Sequence, residues 1–267
     1  MTDGDRRGVL YPVRLPTFHR EPAPPDLAGL VRWFWIPEWD LGAGRTSRQE
    51  VLAFPASNLV VQPAGITLSG PTTTRSHRDL TGRGWAVGAL LRPAAVASLT
   101  TDPRSVRDRE IDVEARGLLD LVRAAMTEGD PVTRRQRATE GYAAWIAEHI
   151  DPPDPDGALA NDMEDLVAAD RSVTRVEHVA RHLGVSVRGV QRLARRYVGV
   201  TPHAMIRRYR LQETAQRLRE DPAVTVGAVA VEMGYSDQAH LCADFRSVLG
   251  FTPTTYRRRT RGDDAGE

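Results

Sequence analysis

Arg188, Gln191, Arg192 and Arg195 stand at i, i+3, i+4 and i+7, so a helix through them carries one continuous stripe of hydrogen-bond donors. Such a stripe suits the edges of nucleic-acid bases. Arginine pairs bidentately with guanine O6 and N7, glutamine pairs with adenine, and either holds a phosphate. Val187, Val190, Ala194 and Tyr197 repeat on the opposite face and turn inward. Ser186, just before the run, supplies an N-cap and a phosphate contact. Gly189 weakens such a helix by about 1 kcal/mol relative to alanine, and close approach to a ligand is one use for it.

The stripe belongs to a unit that the chain contains twice. Val179-Ala180-Arg181-His182-Leu183-Gly184-Val185-Ser186 returns fifty residues later as Val229-Ala230-Val231-Glu232-Met233-Gly234-Tyr235-Ser236. Each copy runs on to Gly-apolar-Thr-Pro, at Gly199 to Pro202 and at Gly250 to Pro253. Glycine permits the left-handed turn that closes a first helix, and serine caps the next. Two amphipathic helices joined in this way form a helix-turn-helix, whose second helix enters the major groove. In the first unit the supporting helix is expected at 176–183 and the recognition helix at 187–197.

In the second unit Leu241, Phe245, Val248 and Leu249 form the inner face. Gln238, Ala239, Cys242 and Ala243 point outward, with His240 beside them and Arg246 farther along. These offer few hydrogen bonds, so this helix is expected to anchor on phosphates, meet thymine methyls or read shape. Ser236 is its expected cap and an expected phosphate contact. Between the units, Pro202 to Glu220 reads as one helix, about 28 Å long at 1.5 Å per residue, near the ~34 Å between successive major-groove faces. Arg207, Arg208 and Arg210 on it are expected phosphate contacts.

The charge follows the repeat. The 267 residues carry a net charge of +1, yet residues 171–261 hold 17 arginines against 7 acids. Residues 1–170 are acidic on balance, and a short acidic tail occupies 262–267. A basic domain beside an acidic one is the pattern expected when one domain meets phosphate. Every basic residue is arginine, which points to base-composition bias. The single cysteine, Cys242, excludes a disulfide framework. No run is apolar enough for a membrane span and no secretory leader is evident, so the cytoplasm is the expected compartment.

The first 150 residues read differently. Residues 1 to about 25, rich in proline and charge, are expected to be irregular. Short β-favouring runs follow at 30–39, 50–54, 58–62, 66–69 and 85–91, separated by Gly, Pro, Asn and Ser, as in a small antiparallel sheet or barrel. Helices are expected at 93–99, 113–126 and 132–150. On the last, Tyr142, Trp145, Ile146, His149 and Ile150 share a face that packs on the sheet or forms a dimer seam. Trp33, Trp35, Phe54 and Trp85 are candidates for an apolar effector pocket, as against ordinary core. The prolines and aspartates of 151–158 read as a linker before a DNA-binding domain at 159–261.

Rival chemistry finds little support. His178 and His182 lie four apart but lack the glutamate placement of a zinc protease motif, and no metal or other cofactor is expected. No paired acid and base, nucleophile constellation or Gly-rich phosphate loop appears, so an enzyme is not expected. The alternative is a small-molecule-binding or enzymatic barrel with an accessory DNA-binding domain.

The segment 159–259 resembles the DNA-binding domain of the AraC/XylS family of transcription regulators. The likeness rests on Val229-Ala-x-x-Met-Gly-Tyr-Ser-Asp-Gln-Ala-His-Leu-x-x-x-Phe245 through Gly250-Phe-Thr-Pro-x-x-Tyr256-Arg257, and on Leu183-Gly-Val-Ser-x-Arg-x-x-Gln-Arg-Leu193. It implies base contacts at Arg188, Gln191, Arg192, Gln238, Ala239 and Ala243; the last stands where some members have arginine. Met205 replaces an aromatic residue common in the family. The N-terminal part resembles the β-barrel sensory domains of some members through Trp33-Phe34-Trp35, Gly70-Pro71 and Gly88 to Pro93. The resemblance implies an α+β protein, with a small antiparallel barrel and trailing helices followed by two helix-turn-helix units on a long helix. It also implies double-stranded DNA and RNA polymerase as partners, activation more than repression, and an N-terminal domain that binds a small-molecule effector, forms a homodimer, or does both.

Overall fold

The computed structural model describes residues 17–73 and 75–260; the first 16 residues of the irregular segment expected at 1 to about 25, and the acidic tail, lie outside them. The described residues hold nine strands, all between Thr17 and Asp112. Seven form one antiparallel sheet: β1 (Thr17–Pro22), β2 (Val31–Asp40), β4 (Asn58–Gln62), β5 (Gly65–Ser69), β7 (Arg83–Trp85), β8 (Val87–Leu91) and β9 (Glu110–Asp112). Their order is β1-β2-β8-β4-β5-β9, with β7 also on β2. The other two, β3 (Thr46–Val51) and β6 (Ser76–Thr81), pair as a separate ribbon. The helices of this half are α1 (Pro93–Leu99), α2 (Leu118–Met126) and α3 (Pro131–His149).

Alternation along β2 gives the sheet two buried faces. Phe34 and Ile36 point into a core with Leu59, Val61, Leu68, Val87 and the apolar faces of α2 and α3. The aromatic face of α3 therefore packs on its own sheet, where Tyr142 donates a 2.7 Å hydrogen bond to the Leu59 carbonyl. Trp33 and Trp35 point the other way, toward the core of the following helical domain. β8 is buried along its whole length, with Ala89 and Leu91 in one core and Leu90 in the other.

Three segments differ from expectation. Residues 17–22 form a strand despite their proline-rich setting, because β1 completes the sheet edge against β2. The run at 50–54 leaves the β3–β6 ribbon after Val51. Leu52 and Phe54 then enter helical-domain cores, and their neighbouring carbonyls bind side chains of the long helix. The 151–158 segment is irregular only to Asp154, after which α4 (Pro155–Ala169) begins. Asp154 caps α4 by accepting from the Gly157 N–H at 2.6 Å, with Pro155 in the first turn.

The remaining helices are α5 (Val176–Leu183), α6 (Val187–Leu193), α7 (Pro202–Glu220), α8 (Val226–Glu232), α9 (Gln238–Leu249) and α10 (Pro253–Thr260). α6 widens into a π-helical turn over Ala194–Val198, closed by Gly199. The described residues are thus α+β, a sheet domain followed by two helical units, α4 to α7 and α7 to α10, that share α7.

The two domains meet across a built seam. Arg92 grips Asp165 of α4 with two 2.6 Å hydrogen bonds, and Arg32 reaches the same carboxylate at 2.6 Å. Both arginines lie 3.2 Å from Glu164, which is 1% exposed and accepts from Tyr209 of α7 at 2.9 Å. Asn161 donates to the Gly29 carbonyl and accepts from the Ala94 N–H. Farther along, Gln212 donates to the Leu52 carbonyl, and the Arg75 N–H donates to Val248 at the end of α9.

Candidate nucleic-acid interface

The first unit displays what its sequence promised. Val190, Ala194 and Tyr197 are at most 2% exposed, in one core with Val179, Met163 and Met205. Val187 packs partly against it. Arg188, Gln191, Arg192 and Arg195 consequently line the exposed side of α6. Gly184 closes α5 in the left-handed conformation, and Ser186 caps α6 by accepting from Gly189 N–H at 3.1 Å. At Gly189 a Cβ would meet Val185 at 3.4 Å, an ordinary contact, so nothing in the fold requires glycine there.

The second unit carries one extra residue in its turn. Its cap is Asp237, which accepts from His240 N–H at 2.7 Å, and not Ser236, whose hydroxyl lies 3.2 Å from His240 Nδ1. Both serine and aspartate cap helices well, so the sequence alone left two choices. α9 matches α6 and its π-turn in length, 12 residues each. Counted from the caps, Ala239 corresponds to Arg188, Cys242 to Gln191, Ala243 to Arg192 and Arg246 to Arg195. Gln238, Ala239, His240, Ala243 and Arg246 are exposed. Cys242 is half-buried against the unit's own core, a correction to its expected outward position.

The three arginines expected on phosphates are engaged by groups of the protein, and Arg208 is buried. Arg207 donates to Asp244 of α9 at 2.5 Å and also bonds Ser247. Arg210 donates to the Met233 carbonyl at 2.7 Å and lies 3.8 Å over the Tyr235 ring, whose hydroxyl also donates to Asp244. These contacts brace α9 on α7. Arg208 is 3% exposed, donating to the Ala53 carbonyl and to Thr72 across the domain seam. Burial pushes its guanidinium down to about 10. α7 is central to the domain, and ten of its residues are buried, so its arginines meet neighbouring elements that a surface helix would not have within reach.

The aromatic candidates do not line one cavity. Trp33 meets Phe54 edge to face at 5.1 Å, and Phe54 meets Tyr209 of α7 at 6.0 Å. Trp35 lies over Gly88, where a Cβ would come within 2.2 Å of its ring, and donates to Asn58 at 2.9 Å. Trp85 belongs to the core on the opposite face. Trp33, Trp35 and Phe54 act as interdomain packing.

Two acids that the linker reading passed over meet the recognition helix. Asp156 accepts from Arg192 at 2.7 Å and lies 3.6 Å from Arg196. Asp154 accepts from the Tyr197 hydroxyl at 2.9 Å. The hydrogen bond from Arg192 holds the Asp156 carboxyl below its usual range. The signal for their placement was present, since Asp154-Pro155 is a helix-start pattern. Among the described residues no cluster of His, Cys, Asp or Glu fits a metal ion, and no helix is long and apolar enough to cross a membrane.

Residues 179–259 match a family described as a helix-turn-helix domain, and residues 19–112 match a domain family of unknown function, DUF6597. An HTH-type transcriptional regulator of Haemophilus influenzae is 29% identical over 83 residues, 31% of this chain and 28% of its own. A protein of Streptomyces antibioticus described as an AraC-like transcription regulator is 28% identical over 123 residues, 46% of this chain and 39% of its own. The chain thus spans well under half the length of these relatives. Among solved structures, ToxT from Vibrio cholerae aligns with 84% of this chain and 97% of its own, at 10% identity and a TM-score of 0.45. Both sequence relatives are described as transcription regulators. The C-terminal segment, with its doubled helix-turn-helix and exposed donor stripe, matches the helix-turn-helix domain family over 179–259, and the chain is similar to an AraC-like regulator over less than half of its length.

Proposed function

We propose that the protein is a sequence-specific regulator of transcription that reads double-stranded DNA chiefly through α6 and positions itself through α9. One observation carries this reading: four donor side chains lie exposed on a capped helix whose other face is core. Arg188, Gln191 and Arg192 meet base edges, and Arg195 and the cap at Ser186 lie toward the backbone. The sparse surface of α9, with Gln238, Ala239, His240 and Arg246, serves register and shape more than base identity. α7 spaces the two helices for adjacent major-groove faces of one duplex. Activation in contact with RNA polymerase is the mode the family resemblance implies. Control enters through the sheet domain, by a small effector or a second copy, because that domain packs on both helix-turn-helix units.

Genome-wide occupancy of the tagged protein tests the reading. Discrete peaks sharing an asymmetric motif, two boxes about one helical turn apart, are expected of a bipartite reader. Diffuse, salt-sensitive occupancy without a motif would refute it. On a site found in this way, Arg192→Ala is expected to cost about 1–3 kcal/mol and to relax preference at one base pair. Ala243→Ser, at the matching position of α9, is expected to change affinity little. Equal loss from Arg192→Ala on specific and random duplexes would reduce Arg192 to a phosphate contact.

A further inference from the structure

We propose that Asp156 is a positioning residue for base reading, holding the Arg192 guanidinium by one edge so that its other donors face the base. This rests on the reading of Arg192 as a base contact. The guanidinium has five N–H donors in a planar fork, and a guanine needs two of them. Nη1 of Arg192 is committed to Asp156 Oδ2 at 2.7 Å, in a charge-assisted bond that limits how a long side chain swings. A donor fixed before contact loses less freedom when the base arrives, and the gain is largest where geometry decides which base fits.

The position of Asp156 is itself fixed. It stands in the first turn of α4, two residues past the Asp154 cap, and the Asp154 carboxylate also accepts from Tyr197 near the end of the same recognition helix. The start of α4 is thus tied to both ends of the relevant stretch of α6, by Arg192 and by Tyr197. Arg196 lies 3.8 Å from Asp154 and 3.6 Å from Asp156, so both acids stay inside a basic field.

An acid beside a DNA-reading arginine has a second reading, as a shield that competes with DNA and is withdrawn on activation. The packing argues against it. α4 and α6 share one core, through Ala160, Met163, Val190 and Leu193, each at most 1% exposed. Asp156 therefore travels with Arg192 whatever the sheet domain does. A permanent acid next to the stripe also repels phosphate, which penalises bindings in which Arg192 takes the backbone instead of a base. The second unit offers a contrast. There the acid of the corresponding helix pair, Asp244, is on α9 and the arginine, Arg207, is on α7, with Ala243 at the reading position. That unit has no arginine of this kind to orient.

The test uses the full chain, the operator found by occupancy mapping, a panel with each base pair of that operator changed in turn, and a random duplex. Asp156→Asn is expected to weaken operator binding about tenfold, to flatten preference at the one base pair where Arg192→Ala flattens it, and to leave the thermal midpoint unchanged. Binding to the random duplex is expected to stay level or rise. Asp156→Asn added to Arg192→Ala is expected to cause no further loss of operator affinity. A rise in affinity for operator and random duplex by the same factor would overturn the proposal in favour of a shield. Loss spread evenly over all base pairs, or persisting on the Arg192→Ala background, would overturn it in favour of a purely structural role. If Arg192→Ala itself leaves every base preference intact, the base-contact reading fails first, and the role of Asp156 falls with it.

Discussion

Leu52→Asp is expected to separate the two domains while leaving each folded. Leu52 belongs to the sheet domain, yet it is 1% exposed in the core of the second helix-turn-helix unit, with Leu211, Leu218, Leu249 and Tyr256. Its own domain's core does not include it. The change forfeits about 2–3 kcal/mol of apolar burial and adds the desolvation of a buried carboxylate, several kcal/mol more. Unfolding either core would be the costlier escape. Separation relieves the strain by exposing position 52 to water, at the loss of the Gln212 and Arg208 hydrogen bonds to the Leu52 and Ala53 carbonyls and of the Arg92, Arg32 and Asn161 contacts farther along the seam. The expected readouts are a larger radius of gyration in solution scattering, two calorimetric transitions in place of one, and new cleavage by an Asp-specific protease in the irregular stretch 151–154. An unchanged scattering profile with a single, lower transition would show that the seam and the cores melt as one unit.

That seam is the part of the fold least legible in the sequence. Periodicity located β4, α3 and α7 almost to the residue, because each has a pattern that its own packing satisfies. It also separated the buried face of α6 from the exposed stripe. Leu52, Phe54, Trp33 and Trp35 carry the same apolar signature whether they face their own sheet or another domain, and so they read as strand core or pocket lining. The arginines of α7 show the converse. Arg207, Arg208 and Arg210 match those of α6 in residue type, but only the tertiary contacts show that one set braces the protein while the other stays exposed, Arg192 with one edge on Asp156. β6, Ser-His-Arg-Asp-Leu-Thr, passed unseen because a two-stranded ribbon with mostly exposed residues imposes no alternation. The Asp154 to Gly157 run was legible as a break but not as a cap, since proline and aspartate mark linkers and helix starts alike.

Gly199→Ala is expected to cost far more than the same change at Gly184, although both glycines close helices in the left-handed region, at φ +86° and +65°. The conformational penalty for a Cβ there is similar, about 1–2 kcal/mol. The surroundings differ. Around Gly184 nothing lies within 4 Å of the added carbon, whereas at Gly199 it would fall 2.3 Å from the Pro103 carbonyl oxygen and 2.6 Å from its carbon. Those are backbone atoms of the sheet domain, and no side-chain rotation relieves the overlap. The loop at 103 has to retreat, taking with it the packing of α1 on the end of the recognition helix. A total loss of about 3–5 kcal/mol follows if that contact is rigid, compared with the values for overpacked sites. Measured by chemical denaturation in the full chain, Gly199→Ala should exceed Gly184→Ala by at least ~2 kcal/mol. On the Leu52→Asp background, where the seam has opened, the excess should vanish and the two glycines should behave alike. An excess that survives there would locate the cost within the helix-turn-helix unit itself, in the π-turn that Gly199 ends, and would remove Pro103 from the account. Equal costs in the full chain would mean that the loop at 103 yields freely, and that the sheet domain does not restrain the recognition helix at this end.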